Sequence, residues 1–366
     1  MQRREFTRNA LGLPLVAALP TMTHGAAIDP ASLPQGGSIT DVPGLRVGHH
    51  TLTERPTGCT VLICEAGATA GVDVRGSAPG TRETDLLSPI NSVQQVQAIL
   101  LSGGSAFGLD AASGVVRYLE EHNLGYKIGN LGVVPIVPAA ILMDLGVGNF
   151  KIRPNADAGY KACMDAGTGP VAEGNVGAGA GATIGKMFGP KFAMKSGLGS
   201  ASVKIGDTGI VVGALVAVNA VGDVVNPETG KVLAGARRED GKGFRDSMAA
   251  ILNGYRVVAQ NGANTTIGVV ATNAPFNKTQ MTKIAQMAHD GYARSINPVH
   301  TMADGDTIFS MSTGTATVKA DVSAIGAIAA MVMARAVVRA AMQAASLPEF
   351  GLPAYRDYTD RSSLNL

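Results

Sequence analysis

Residues 261–271 read Asn261-Gly262-Ala263-Asn264-Thr265-Thr266-Ile267-Gly268-Val269-Val270-Ala271. A turn of small and amide residues is followed by an apolar run of strand length, which predicts a buried β-strand with a hydroxyl-bearing residue at its mouth. The residue before Thr265 is asparagine, which tolerates strained backbone conformations. Turn chemistry and β-propensity are the common explanation for such a segment. A nucleophile at the start of a strand is the alternative.

A cut between Asn264 and Thr265 would give Thr265 both a nucleophilic hydroxyl and a free α-amine. The pKa of such an amine is about 8, so at neutral pH a fraction of it can act as a general base. Threonine activated by its own amine is a recognised form of activated nucleophile. Self-cleavage is therefore a hypothesis that the rest of the chain has to support.

Composition indicates a compact globular protein. The chain has 366 residues, of which 46% are hydrophobic and 16% charged, with a formal net charge of +2. A chain of this length can form one or two domains. Because basic residues are not in excess, nucleic acid is not an expected partner. Aromatic residues make up only 4% and tryptophan is absent, which argues against stacking platforms for bases or sugars.

The first 27 residues have the pattern of an export signal. Arg3-Arg4-Glu5-Phe6 begins a basic segment, an apolar stretch follows over residues 10–20, and small residues follow at 25–27. The apolar stretch is shorter than the roughly 20 residues that a membrane anchor needs, and its flanks match a cleaved signal peptide. The paired arginines favour the twin-arginine type over an ordinary secretory signal. We expect a periplasmic protein, exported folded, without a membrane anchor.

From residue 36 onward, short apolar runs alternate with glycine-rich turns. The runs predict strands at 42–47, 60–63, 98–101, 201–205, 210–218, 266–271 and 307–311, and helical spacing predicts helices at 106–122, 278–296 and 322–345. Strands and helices do not alternate regularly, so a layered sandwich with helices over paired sheets is favoured over a doubly wound fold. Residues 226–244, rich in glycine and charge, have the composition of a linker.

One motif suggests a nucleotide cofactor but does not meet the requirements of a phosphate-binding loop. The glycine-rich run at 177–185 precedes Lys186, but Met187 stands where a P-loop needs serine or threonine. A close-packed glycine turn is the better interpretation. The histidines are scattered without metal-ligand spacing, so neither a cofactor nor a metal is expected.

Two further segments leave alternatives open. Ser105 lies between a predicted strand and helix and is one place from the centre of a hydrolase nucleophile elbow, although an N-capping serine is favoured. Asp304-Gly305-Asp306 precedes the strand at 307–311. These two carboxylates could cap a turn, bind calcium or orient a catalytic group.

Seven segments taken together carry a resemblance over about residues 36–345: 39–49, 76–84, 101–109, 174–179, 214–219, 264–273 and 304–307. In this order they resemble the self-processing β-aminopeptidase and L-aminopeptidase/D-esterase family, with its pantetheine-hydrolase relatives. The resemblance implies an α/β fold, a four-layer αββα sandwich like the N-terminal nucleophile hydrolases but differently connected.

The same resemblance implies a precursor that is cut between Asn264 and Thr265. The α chain, residues 28–264, and the β chain, residues 265–366, then form one structural domain, and the αβ units assemble into homotetramers. Thr265 takes the position of the nucleophile, where many relatives have serine. The β-branch makes threonine harder to place there.

Other roles carry over by position. Tyr160 and Asn219 match the residues that donate hydrogen bonds to the oxyanion. Asp304 and Asp306 are both candidates for the network that supports the nucleophile, since the local register is open. Asp144 is not carried over in this way: an aminopeptidase must pair the substrate's ammonium group with a carboxylate, and Asp144, which follows residues 134–138, is the candidate, with a turn-capping role as the structural alternative.

The predicted function is an autoproteolytically activated aminopeptidase or amidohydrolase that releases N-terminal amino acids from peptides, amides or esters through a Thr265 acyl-enzyme. A conventional serine hydrolase using Ser105 and a non-enzymatic periplasmic binding protein are the alternatives. The sequence does not distinguish β-amino acid, D-residue, L-residue or pantetheine-like substrates.

Overall fold

The computed structural model describes residues 36–256 and 264–358. The predicted export signal and the turn at 261–263 lie outside the described residues. From Gly36 onward the chain forms one compact unit. The strands are β1 Arg46–Thr51, β2 Gly58–Val74, β3 Thr81–Arg82, β4 Val96–Ser102, β5 Tyr126–Ile128, β6 Gly132–Val134, β7 Ala139–Ile141, β8 Thr183–Ile184, β9 Met194–Lys195, β10 Leu198–Lys204, β11 Val211–Asn219, β12 Asp223–Val225, β13 Val232–Ala234, β14 Thr265–Thr272, β15 Ile296–Asn297 and β16 Thr307–Ser312. The helices are α1 Ala111–Glu121, α2 Ala156–Met164, α3 Ser247–Leu252, α4 Lys278–Ser295, α5 Val322–Gln343 and α6 Tyr355–Tyr358.

The long strand β2 joins two halves of the main sheet. Its first half pairs with β1 and β4, and its second half pairs with β16. The strand order is β10-β11-β14-β16-β2-β4-β7-β3, with β1 beside β2. Side chains of both halves meet in one buried apolar cluster, which includes Leu62, Leu101, Leu215, Ile267 and Phe309. The two halves therefore form the two inner layers of a sandwich.

Helices cover both outer faces. One cluster joins strands β11, β14 and β16 to α4 and α5, with Ile284, Met333 and Val337 on the helix side. The other joins β2 and β4 to α1 and α2, with Val115 and Leu119 on the helix side. The predicted four-layer αββα arrangement is confirmed.

Helices α4 and α5 begin and pack as their sequences indicate. Asn277 and Gln280 form a capping box at the start of α4. A methyl group at Gly291 would lie 2.5 Å from the carbonyl oxygen of Ala330, so glycine permits the close approach of the two helices. By length and composition α5 could cross a membrane, but 61% of its most apolar 18-residue stretch is buried inside the protein. It is a core helix in this fold.

Several predicted boundaries are wrong for local reasons. The predicted strand 42–47 begins only at Arg46, because Gly44 has φ +91° and turns the chain. The predicted helix 106–122 is a 3₁₀ turn until Asp110 and becomes α-helical at Ala111. The stretch at 226–244 is not a plain linker, since β13 lies within it and pairs with β12.

Candidate active site

Strand β14 places Thr265 at its first position, in the interior of the protein. Thr265 is 2% exposed and pairs directly with Asn219, the last residue of β11. The Thr265 hydroxyl donates a hydrogen bond to the carbonyl oxygen of Asn264. The same carbonyl accepts the backbone N–H of Gly305 at 2.9 Å. The carbonyl oxygen of the Asn264–Thr265 peptide bond therefore accepts two hydrogen bonds, one from the Thr265 hydroxyl and one from the Gly305 N–H.

The turn Asp304-Gly305-Asp306 lies beside this peptide bond. Asn264 forms a parallel β-bridge with Asp304. Asp306 Oδ1 accepts the backbone N–H of Thr266 at 2.7 Å, and Asp306 Oδ2 lies 2.8 Å from His300 Nδ1. The structure thus brings both predicted network carboxylates to the strand that begins at Thr265.

Asp304 differs from Asp306 in its partners. Asp304 Oδ2 accepts the N–H and the hydroxyl of Thr301, at 2.8 and 2.6 Å. Burial, followed by the nearby Asp306 carboxylate, raises the pKa of Asp304. Its Oδ1 atom is buried without a hydrogen-bond partner among the described residues. Because Oδ2 is occupied as an acceptor, a proton on Asp304 would reside on Oδ1.

Asn219 is held on all sides by hydrogen bonds. Its Nδ2 donates to the Met143 carbonyl at 3.0 Å, and its Oδ1 accepts from the Thr183 N–H at 3.0 Å and from Lys186 Nζ at 2.9 Å. This network fixes the amide directly across the strand pair from Thr265. Support of an oxyanion by Asn219 stays a prediction.

Lys186 contacts the candidate site through Asn219, and sequence reasoning missed it. Its ammonium group also donates to the Asn219 carbonyl at 2.9 Å. Burial lowers the pKa of Lys186 to about 7, against the opposing effect of three aspartates: Asp304, Asp144 and Asp306. A lysine that titrates near neutral pH can hold or release a proton under working conditions. In the sequence the only indication was a lysine directly after a glycine-rich run that does not fit a phosphate-binding loop.

Asp144 forms a buried ion pair. Arg55 donates to Asp144 Oδ1, and both side chains are fully shielded from solvent. Asp144 Oδ1 also accepts the Gly104 N–H at 2.9 Å, and Oδ2 accepts the Thr57 hydroxyl at 2.6 Å. Both carboxylate oxygens are therefore engaged within the protein. A role for Asp144 toward the substrate's ammonium group stays a prediction.

The structure does not bring Tyr160 into this cluster. Tyr160 lies on α2, and its hydroxyl donates to Glu121 Oε2 at 2.6 Å. Its ring packs edge-on against Tyr118, and Arg117 lies 4.5 Å from the ring centroid. These contacts belong to the α1–α2 layer, and none of them supports a role at the oxyanion. That assignment stays a prediction.

Ser105 does not have the surroundings of a conventional nucleophile. Its φ of 54° is in the left-handed region, and its N–H donates to the Leu142 carbonyl at 3.0 Å. Within residues 36–256 and 264–358, neither a histidine nor a carboxylate hydrogen-bonds to its hydroxyl. A conventional serine hydrolase needs such a base within reach.

The glycine-rich run is a close-packed turn, as interpreted from the sequence. A Cβ at Gly181 would lie 2.7 Å from Asp144 Oδ2, and one at Gly185 would lie 2.1 Å from the Ala236 nitrogen. No group of three or more metal-ligating side chains occurs in the described part of the chain.

The αββα sandwich is the layer arrangement of the N-terminal nucleophile hydrolase fold. The profile of peptidase family S58 matches residues 37–351. The chain therefore belongs to peptidase family S58 and is a hydrolase.

Related proteins agree with this assignment. An uncharacterised aminopeptidase of Mycobacterium tuberculosis is 43% identical over 346 residues, covering 87% of this chain and 97% of the relative. A 6-aminohexanoate-oligomer endohydrolase of Kocuria sp. is 32% identical over 318 residues, covering 82% of this chain and 85% of the relative.

Solved structures share the fold. The L-aminopeptidase D-Ala-esterase/amidase of Ochrobactrum anthropi superimposes with a TM-score of 0.65 over 89% of this chain and 91% of its own, at 20% identity. A Burkholderia sp. β-aminopeptidase gives a TM-score of 0.62 over 85% of this chain and 88% of its own, at 24% identity. At these identities the likeness concerns the fold.

Proposed function

We propose that this protein is an aminopeptidase-type amide hydrolase that cuts its own chain between Asn264 and Thr265 and then uses Thr265 as nucleophile. The observation that carries the proposal is the contact of the Thr265 hydroxyl with the Asn264 carbonyl, which also accepts the Gly305 N–H. An electrophile and a nucleophile are thus adjacent, and a backbone donor is aimed at the carbonyl oxygen.

Self-cleavage proceeds in two steps. The Thr265 oxygen loses its proton and attacks the Asn264 carbonyl carbon, the C–N bond breaks, and the released nitrogen takes up that proton to become the Thr265 amine. Asn264 is then joined to Thr265 through an ester. Water hydrolyses the ester to give the Asn264 carboxylate and a free Thr265 hydroxyl.

Turnover uses the new amine. The amine takes the proton of the Thr265 hydroxyl, and the oxygen attacks the substrate's amide carbonyl. The leaving amine departs protonated, and water releases the acyl group. Lys186 and Asn219 lie together across the strand pair from Thr265, so the site contains both a fixed amide and an amine that titrates near pH 7.

A second candidate activity is cleavage within amide oligomers. One relative is named a 6-aminohexanoate-oligomer endohydrolase. An aminopeptidase needs a carboxylate for the substrate's ammonium group, whereas internal cleavage does not. Asp144 is engaged on both oxygens by Arg55, Thr57 and Gly104. Comparison of kcat/KM for one amide substrate with a free and with an acetylated amino end separates the two activities.

The proposal extends to location and assembly. We propose that residues 1–27 direct export to the periplasm and that the αβ units form homotetramers. An N-terminus after residue 27 in periplasmic extracts, and a sedimentation mass near four αβ units, are the expected results.

The test of the nucleophile compares Thr265→Ala with Thr265→Ser. The serine variant keeps the attacking oxygen, so we expect it to be processed and to hydrolyse amino-acid nitroanilides. The alanine variant should remain one chain with no turnover. Turnover by Thr265→Ala would refute the proposal, and loss of turnover in Ser105→Ala with normal processing would favour the serine hydrolase.

A further inference from the structure

A cluster of polar side chains is linked through Asp306 and through ring contacts: Thr266, His289 and Tyr292 are buried, and His300 is partly exposed. Within the described residues, four of its atoms have no hydrogen-bond partner: Thr266 Oγ1, His289 Nδ1, Tyr292 Oη and His300 Nε2. The His289 and His300 ring centroids are 4.8 Å apart, and the Tyr292 and His300 centroids are 6.1 Å apart. Unpaired buried polar atoms are unfavourable, so several in one place call for a functional reason.

The backbone conformation of His300 is also unfavourable. Its φ is 56°, in the left-handed region that favours glycine and asparagine. A histidine held in a strained backbone conformation points to a role for its side chain. That side chain is directed at Asp306.

His300 and Asp306 form the first link of a chain of contacts to the nucleophile. Asp306 Oδ2 lies 2.8 Å from His300 Nδ1 and also accepts the His300 backbone N–H at 3.2 Å. Because a carboxylate accepts, Nδ1 carries the proton in this contact. The other oxygen, Oδ1, accepts the Thr266 N–H at 2.7 Å. His300 thereby fixes the carboxylate that fixes the amide next to Thr265.

Helix α4 fixes the plane of the His300 ring. The His289 ring packs against it edge-on, with an interplanar angle of 68°. His289 Nε2 lies 3.0 Å from the Asp73 carbonyl, which anchors His289 to β2. Burial lowers the pKa of His289 to about 3, so it packs there as a neutral ring.

We propose that His300 is a positioning residue for Thr265, acting through Asp306 and held in place by His289 and Tyr292. This inference rests on the proposed role of Thr265 as nucleophile. His300 itself touches neither Thr265 nor the Asn264 carbonyl in the described contacts. Its effect should therefore appear in the rate of the chemical step and not in substrate binding.

The test compares three substitutions of His300. His300→Asn places an amide nitrogen near the position of Nδ1 and suits the left-handed backbone. His300→Leu has the shape of asparagine without the donor, and His300→Gln places its amide near Nε2. His50→Leu, at a half-buried histidine on β1, is the matched control. The readouts are kcat and KM per mole of processed chain, with the melting temperature of each variant.

We expect His300→Leu to lose about 10- to 100-fold in kcat with KM changed less than about twofold, because small displacements of a nucleophile are costly. His300→Asn should stay within about threefold of the wild-type kcat, and the His50 control should be unchanged. If His300→Leu is not recovered folded, a kcat for His300→Asn at least about fivefold above that of His300→Gln supports the proposal.

Two results would overturn the proposal: a folded His300→Leu with wild-type kcat, or equal losses in all three variants that follow their melting temperatures. Thr265→Ala is measured alongside. If it turns over substrate, the proposed function itself fails. If it is inactive while His300→Leu is fully active, only the positioning role fails.

Discussion

Gly305→Ala tests how tightly the backbone is packed around Thr265 and the Asn264 carbonyl. Gly305 donates its N–H to the Asn264 carbonyl at 2.9 Å. A Cβ built on Gly305 would lie 2.5 Å from the Ala78 carbonyl oxygen and 2.9 Å from Thr265 Oγ1. Both distances are shorter than those that real Cβ atoms show, so the backbone at 304–306 has to move.

The size of the effect follows from that movement. Relief of the contact with a backbone oxygen requires a shift of about 0.5–1 Å, and overpacking of this kind costs about 1–3 kcal/mol. A misplacement of about 1 Å in a catalytic arrangement can cost about 100-fold in rate. We therefore expect Gly305→Ala to fold, to lose about 1–3 kcal/mol of unfolding free energy, and to cut itself and turn over about 100-fold more slowly.

Intact mass spectrometry gives the fraction of cut chain as a function of time after synthesis. The kcat of the cut protein is then measured separately. Gly146→Ala is the matched control, since its Cβ would have no heavy atom within 4 Å. Such a change should be neutral or stabilise by about 0.4–1 kcal/mol. A Gly305→Ala protein that cuts and turns over within threefold of wild type would refute the reasoning.

Three further predictions concern Asn219, Lys186 and Arg55. Asn219→Ala should lower kcat by about 10²-fold or more if its amide supports the oxyanion; an unchanged kcat would remove that role. Burial lowers the pKa of Lys186 from 10.5 to about 7. Between pH 7 and pH 10.5 the unfolded chain therefore binds more protons than the folded chain, and the free energy of unfolding rises with pH. In an uncut Thr265→Ala background, Lys186→Met should reduce that rise by about 1.4 kcal/mol per pH unit in urea titrations. Arg55→Met leaves the buried Asp144 carboxylate unpaired and should cost about 3–5 kcal/mol in denaturant unfolding.

The predictable part of the fold is the part with a local signal. The apolar run after Thr266 predicts β14, and the structure extends that strand by one residue at each end. Helices α4 and α5 follow from their spacing, since only their last residues differ from the predicted ranges. The strand predicted at 42–47 is shortened because Pro43-Gly44 is a turn dipeptide and Gly44 has φ +91°.

The site was less predictable because its contacts are non-local. The register that sets Asn219 opposite Thr265 depends on the pairing of β11 with β14. Lys186 follows a glycine run whose local pattern gives no indication that its amine reaches Asn219. His300 gave no signal either, since its positive φ and its contact with Asp306 appear only in the folded chain.

The central claim is that Thr265 becomes a new N-terminus by the chain's own chemistry. Its most direct test is intact-mass and N-terminal analysis of purified wild-type protein alongside Thr265→Ala. The account predicts a small chain that begins at Thr265 in the wild type and a single uncut chain in the alanine variant. A small chain that begins elsewhere, an uncut but fully active wild type, or a normally cut Thr265→Ala protein would contradict it.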